Sequence, residues 1–111
     1  MLIPFQKNEL LIADIEAFTS DNGFKVWWLA QSGFVIKWQN KTLLFDPYLS
    51  DSLTIKYQNT EKPHVRMSEL AISPTQLPKI DVVTSSHNHT DHLDAETLVA
   101  ILEKNSFPWI Y

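Results

Sequence analysis

Ile80-Asp81-Val82-Val83-Thr84-Ser85-Ser86-His87-Asn88-His89-Thr90-Asp91-His92 is the stretch that decides how this chain is read. The near-continuous apolar run within Lys79 to Thr84 predicts a buried strand. The residues after it set three histidines and an aspartate within six positions, on what must be a loop. Imidazole and carboxylate donors suit Zn, Mn, Fe or Ni without thiolate, which this cysteine-free chain cannot supply. If His87 and His89 lie in an extended segment, their side chains point the same way and can hold one metal. Asp91 and His92 follow where the backbone must bend. They reach a second ion about 3.5–4 Å away, the spacing of two-metal hydrolytic sites that generate hydroxide at neutral pH. The competing reading is a polar loop in which Thr90 or Asp91 caps the next helix and the histidines are solvated. Four ligand-type residues at this density argue against it.

Working outward, the segment after the loop, Leu93 to Lys104, carries Leu98, Ile101 and Leu102 at helical spacing, with Asp94 as its N-cap. A strand over Phe107 to Tyr111 follows, which makes a βαβ-like unit. Upstream, Phe24–Ala30, Phe34–Trp38 and Thr42–Phe45 read as three short strands. The turn signals Gln31-Ser32-Gly33 and Gln39-Asn40-Lys41 join them into an antiparallel meander. Trp27, Trp28 and Trp38 are expected in the core or between sheets rather than on a ligand-stacking surface. Pro47 stops the third strand and biases Asp46 toward an extended conformation, with a simple Asx turn before proline as the competing account of the pair.

Asn8 to Thr19 predicts an amphipathic helix with Leu11, Ile12, Ile15 and Phe18 on one face, capped by Asn8 and ended by Asp21-Asn22-Gly23. Covering a sheet face or a subunit contact is its expected role. Ser50 to Ser73 reads as a long irregular loop, and loops of that length are functional or mobile. Within it, Lys56 and Arg66 are candidate clamps for an anionic substrate group, with solvated charge the competing account. His64, with no ligand-type neighbour, is expected at the surface. Ser73 to Pro78 reads as a single helical turn or bend between two prolines.

The 111 residues hold one domain at most, and 44% hydrophobic with 20% charged residues is ordinary for a globular chain. A formal charge of −4 argues against nucleic acid as a partner. No apolar run approaches a membrane span, and Met1-Leu2-Ile3-Pro4-Phe5 lacks the form of a signal peptide. A cytoplasmic address is therefore the default, with a small-molecule substrate and homo-oligomerisation as the expected partnerships.

His87-x-His89-x-Asp91-His92 after the strand Ile80–Thr84 resembles the motif of metallo-β-lactamase fold hydrolases. Val26 to Lys37 resembles the opening hairpin of the ascorbate-6-phosphate lactonase-like branch, and Leu43 to Ser50 its aspartate-containing strand end. The similarity covers about residues 24 to 111. It implies an α/β fold in which two sheets pack between helices (αββα), with this chain as the N-terminal half, mixed in strand direction: residues 1–23 an N-terminal helix, 24–111 the partial domain. The family's domain is about twice this length. Because the chain stops inside a predicted strand, a fragment, a truncated form or one member of a split pair is expected.

The resemblance further implies a divalent metal cofactor, Zn or Mn and two ions in the complete enzyme. His87 and His89 would hold one ion, and Asp91 and His92 the other. A further histidine, a bridging aspartate and a last histidine would come from sequence not present here. Asp91 would also orient the attacking hydroxide or shuttle its proton. Asp46 would support the histidine loop by accepting hydrogen bonds. Lactone or ester hydrolysis, of a phosphorylated sugar lactone for example, is the implied chemistry. Phosphodiester cleavage, as in phospholipase D-like relatives, is the alternative. A different class of reading is a non-catalytic half that binds metal or assembles through its unfinished sheet edge.

Overall fold

A computed structural model of the protein describes residues 1–19, 22–105 and 109–110, the last pair by backbone. The elements run α1 (Glu9–Ala17), β1 (Phe24–Trp28), β2 (Phe34–Trp38), β3 (Lys41–Phe45), α2 (Ser52–Tyr57), a 3₁₀ turn (Pro74–Gln76), β4 (Val82–Thr84), α3 (Ala95–Lys104) and β5 (Trp109–Ile110). One sheet takes the strands in chain order, β1-β2-β3-β4-β5. The first two pairings are antiparallel and the last two parallel. This is the α/β, mixed-sheet architecture expected, with a meander leading into a β4-α3-β5 crossover. The expected strand Phe107–Tyr111 lies outside the described residues except for Trp109 and Ile110, as does Asp21 of the helix-ending signal.

Both hairpins close on non-glycine residues at positive φ, of which only Asn40 is of a type that adopts it readily. Ala30 and Gln31 have φ of 69° and 52°, and Gln39 and Asn40 have 47° and 62°. Two consecutive left-handed residues match the right-handed twist of the flanking strands, so the turn geometry is set by the sheet rather than by glycine. The first turn is closed by Leu29 N–H donating to Gly33 O at 2.8 Å.

The core lies on one face of the sheet. Trp27, Val35, Leu44 and Val83 point to that face and are buried there with Leu11 and Ile15 of α1 and Leu98 and Ile101 of α3. Burial of each aliphatic side chain contributes about 1.5–3 kcal/mol. Strand periodicity of two then sends Phe24, Val26, Trp28, Phe34 and Trp38 to the opposite face, where they stay exposed. This corrects the expectation for the tryptophans. Trp27 is core, whereas Trp28 and Trp38 are 65% and 46% exposed.

Three local expectations also change. Asn8 stands at the N-cap position of α1 but has φ of 54° and makes no side-chain cap bond. Its backbone N–H is tied to Ala71 O instead, at 2.8 Å, which fixes the chain in a conformation that the capping geometry excludes. The Ser50–Ser73 segment is not wholly irregular, because Leu53 is buried and α2 forms around it. Gly23 does take positive φ, 112°, but at the entrance to β1 rather than as the cap of α1, whose last turn ends at extended Phe18. As expected, Asp94 caps α3 and accepts from Thr97 N–H. Among the described residues no helix is long and apolar enough to cross a membrane.

Candidate metal centre

The loop that leaves β4 is bent throughout rather than extended at His87 and His89. His89 O accepts from both His92 N–H (2.9 Å) and Leu93 N–H (2.8 Å), and this tight turn folds the loop back on itself. It brings the imidazoles together by a route other than strand alternation. The ring centroids of His87 and His89 are 4.6 Å apart, and those of His87 and His92 are 4.0 Å apart. Asp91 Oδ2 lies 3.5 Å from His92 Nε2. The four residues singled out in the sequence therefore share one spot on the molecule.

Asp46 holds this loop. Its Oδ1 accepts from Ser86 N–H at 2.7 Å, and its Oδ2 accepts from Ser86 Oγ at 2.6 Å and from His92 Nδ1 at 2.7 Å. Ser32, in the β1–β2 turn, donates to Asp91 O at 2.5 Å and lies 3.2 Å from Asp46 O. Asp46 is not extended as its proline neighbour predicts. Its φ is 44°, in the left-handed region that aspartate tolerates better than most residues. The bonds to Ser86 and His92 hold it there against the pre-proline preference, a strain of about 1–3 kcal/mol that surrounding contacts must offset.

These bonds assign the ring protons. Ser86 Oγ has one hydrogen and gives it to the Asp46 carboxylate, so toward His87 Nδ1, 2.9 Å away, it can only accept. His87 and His92 thus both carry hydrogen on Nδ1 and leave the lone pair on Nε2, which in His92 faces Asp91 Oδ2 at 3.5 Å; that tautomer is the one by which a metal-binding histidine is oriented. Burial pushes the Asp46 carboxyl up. The hydrogen bonds from Ser86 and His92 outweigh that effect and bring it below the usual aspartate value. The carboxylate therefore stays ionised and keeps those tautomers in place.

In donor type and proximity the set fits a divalent cation: three imidazoles, two with Nε2 free by proton assignment, and one carboxylate. The rings nevertheless pack on one another, and among the described residues no three His, Asp or Glu side chains are arranged around a common point that would hold an ion. Beside the loop lies a depression of about 630 Å³, walled by Val26, Phe34, Ile36 and Phe45 and reaching Asp46 and Ser86.

The two candidate clamps lie elsewhere. Lys56 is on α2 with its ammonium 5.3 Å from the Tyr57 ring. Arg66 is buried, its Nη2 donating to Ser50 O at 2.6 Å and its guanidinium 4.8 Å from the Tyr48 ring. Neither contacts the histidine loop among the described residues. His64 is not a free surface histidine but half-buried, edge-on to Tyr48 at 6.0 Å. Sequence reasoning missed Ser86 and Ser32. The first adjoins the motif in sequence. The second lies 59 positions from the carbonyl it binds, and nothing local marks it.

Residues 25–105 match the family described as Beta-lactamase superfamily domain. The chain is 36% identical over 83 residues to the mitochondrial N-acyl-phosphatidylethanolamine-hydrolyzing phospholipase D of Saccharomyces cerevisiae, covering 75% of this chain and 17% of that protein. It is 30% identical over 89 residues to an uncharacterised protein of Mycobacterium tuberculosis, covering 77% of this chain and 22% of that one. Among solved structures, a candidate metal-dependent hydrolase from Parabacteroides distasonis superposes with a TM-score of 0.47 at 15% identity, over 79% of this chain and 37% of that one. The chain spans about a fifth of the length of the curated relatives it matches.

Proposed function

The chain belongs to the beta-lactamase superfamily, and from that premise we propose that it carries the metal-binding half-site of a divalent-metal-dependent hydrolase. The observation that carries this reading is the Asp46 carboxylate, which fixes His92 directly and His87 through Ser86 in the ligating tautomer. His87, His89, Asp91 and His92 are the residues that would hold the metal. When bound, a divalent ion in such a site supplies Lewis acidity and lowers the pKa of water toward neutrality. Zn and Mn both accept this nitrogen and oxygen donor set. The protein's own contribution is to orient the imidazoles through Asp46 and Ser86, to pin the loop through Ser32, and to place the Asp91 carboxylate where it can accept or hold the attacking water's proton.

For the substrate, phosphodiester cleavage is favoured, because the yeast relative at 36% identity is named a phospholipase D. Lactone or ester hydrolysis rests on the resemblances of Val26–Lys37 and Leu43–Ser50. The remaining ligands of a complete site would come from further sequence or a partner chain, so activity belongs to the whole protein. A small-molecule substrate and a cytoplasmic address remain part of this proposal, with the yeast relative itself named as mitochondrial. The test is turnover of chromogenic phosphodiesters and lactones by the metal-loaded whole protein, with and without His89→Ala. Loss of turnover with unchanged melting supports the reading; undiminished turnover removes the histidine loop from the chemistry.

A further inference from the structure

At the edge of the sheet opposite β5, β1 pairs with β2 alone among the described residues. The register sets Trp28 opposite Phe34, Val26 opposite Ile36 and Phe24 opposite Trp38. The hairpin bond from Leu29 N–H to Gly33 O fixes which pairs are bonded, because bonded and non-bonded pairs alternate along an antiparallel ladder. Leu29, Trp27 and Lys25 therefore bond toward β2. The N–H and C=O groups of Phe24, Val26 and Trp28 point away from the sheet and meet no partner among the described residues.

Native sheets blunt such an edge with proline, a bulge or an exposed charge. β1 (Phe-Lys-Val-Trp-Trp) has no proline, and its register is unbroken. Its one charge, Lys25, is turned to the face that α1 covers, where Nζ bonds Asp14 Oδ1 at 2.9 Å and stands 5.2 Å from the Trp27 ring. On the other face Phe24, Val26 and Trp28 are 63%, 44% and 65% exposed. The same three residues thus present both free backbone groups and apolar side chains.

We propose that β1 pairs antiparallel with β1 of a second copy of this chain, about a two-fold axis through Val26. The strand is aromatic at both ends and β-branched at its centre, so it matches itself when reversed. In that register every outward N–H and C=O of β1 is paired, and Phe24 lies opposite the partner's Trp28 in an aromatic cross-strand pair. On the inner face Lys25 lies opposite the partner's Trp27, a cation beside an indole. Moving the axis one residue toward the N-terminus sets the two copies of Lys25 against each other, like charges directly opposed. Moving it one residue the other way leaves Phe24 opposite the β1–β2 turn. A copy laid across the outer face instead would leave the backbone groups of the edge unpaired. The formal charge of −4 per chain opposes association mainly over distances that ordinary salt screens.

The experiment is sedimentation velocity of the purified protein, with amide hydrogen exchange followed by NMR over the same concentrations. A dimer is expected with a Kd of about 10–100 μM, and the Phe24, Val26 and Trp28 amides gain protection as it forms. Val26→Lys, which opposes two ammonium groups across the axis, weakens it at least about tenfold. Phe34→Lys, on the same face but one strand in from the edge, leaves it within about twofold. Phe24→Glu with Trp28→Lys puts opposite charges against each other and dimerises, whereas Phe24→Lys with Trp28→Lys does not. The chain has no cysteine, so single cysteines report the register by oxidation. Val26→Cys brings the two Cα atoms to about 5.5 Å, within disulfide reach, and cross-links. Trp28→Cys holds them roughly 14 Å apart and does not. A monomer at roughly 1 mM would overturn the proposal and leave the edge to other sequence. So would a dimer broken by Phe34→Lys but indifferent to Val26→Lys, which marks face-to-face stacking, or cross-linking of Trp28→Cys as ready as that of Val26→Cys.

Discussion

Replacing Asp46 separates what its carboxylate contributes from what its backbone costs. In Asp46→Ala three accepted hydrogen bonds are lost, two from Ser86 and one from His92. Hydrogen bonds to a charged acceptor contribute about 1.5–3 kcal/mol each when shielded. Ser86 is exposed, so water replaces much of its pair, and the sum comes to roughly 2–3 kcal/mol. Alanine at φ 44° adds about 1 kcal/mol of backbone strain. Asp46→Gly loses the same bonds without that strain. Asp46→Asn keeps one acceptor oxygen and the tolerance for left-handed backbone. The expected losses by urea denaturation are about 3–4 kcal/mol for alanine, about 1 kcal/mol less for glycine, and the smallest for asparagine. The alanine variant should melt roughly 10–20 °C lower. Equal stability of the alanine and glycine variants would refute the left-handed assignment. Stability of all three within about 0.5 kcal/mol of the parent, the scatter of ordinary surface substitutions, would refute the carboxylate's role in holding the loop.

The same carboxylate sets a pH dependence. Because folding lowers the Asp46 pKa, its contribution is fully present above the unfolded value of about 3.9 and is lost as pH falls through the folded value. The stability gap between the parent and Asp46→Asn should therefore be level above about pH 5 and narrow below pH 4, read from urea midpoints; a gap that widens on acidification would contradict it. Asp94→Ala should destabilise by about 3 kcal/mol, since this 1% exposed carboxylate accepts from Ser50 Oγ (2.6 Å), Ser52 Oγ (2.9 Å) and Thr97. A loss below about 1 kcal/mol would show that the cap and the α2 contacts are dispensable. Leu44→Ala, at a fully buried position in the middle of the sheet, should cost about 2–5 kcal/mol by the same assay, whereas a cost under 1 kcal/mol would mean that the core face is misassigned.

The sheet was legible because its signals are local. β-branched and aromatic runs of the right length, broken by turn residues, give β2 at its observed bounds and β1, β3 and β4 within a few residues. Trp28 and Trp38 depart from the core placement expected of them for a related reason. Alternation says which residues share a face, but not which face meets the helices, and Trp28 and Trp38 share the outer one. α2 was missed because its six residues carry no clear helical period, and it forms around Leu53 under Tyr48 and Arg66. At the candidate site the ligand-type residues announced themselves by density. The bent path of the loop did not, because the turn at His89 comes from backbone bonds that any residues could make. The left-handed Asp46 was read the opposite way, since its proline neighbour is visible in the sequence and its distant partners Ser86 and His92 are not.

The most direct test of the metal reading is a Zn²⁺ titration of the protein followed by long-range ¹H–¹⁵N NMR of its four histidine rings. The account predicts that Nε2 of His87 and of His92 shift on metal addition while their Nδ1–H protons persist, and that the His89 ring responds with them while His64 does not. Four rings that respond alike, or a loop whose imidazoles ignore the ion while His64 takes it, would contradict the claim that this loop is built to hold a metal.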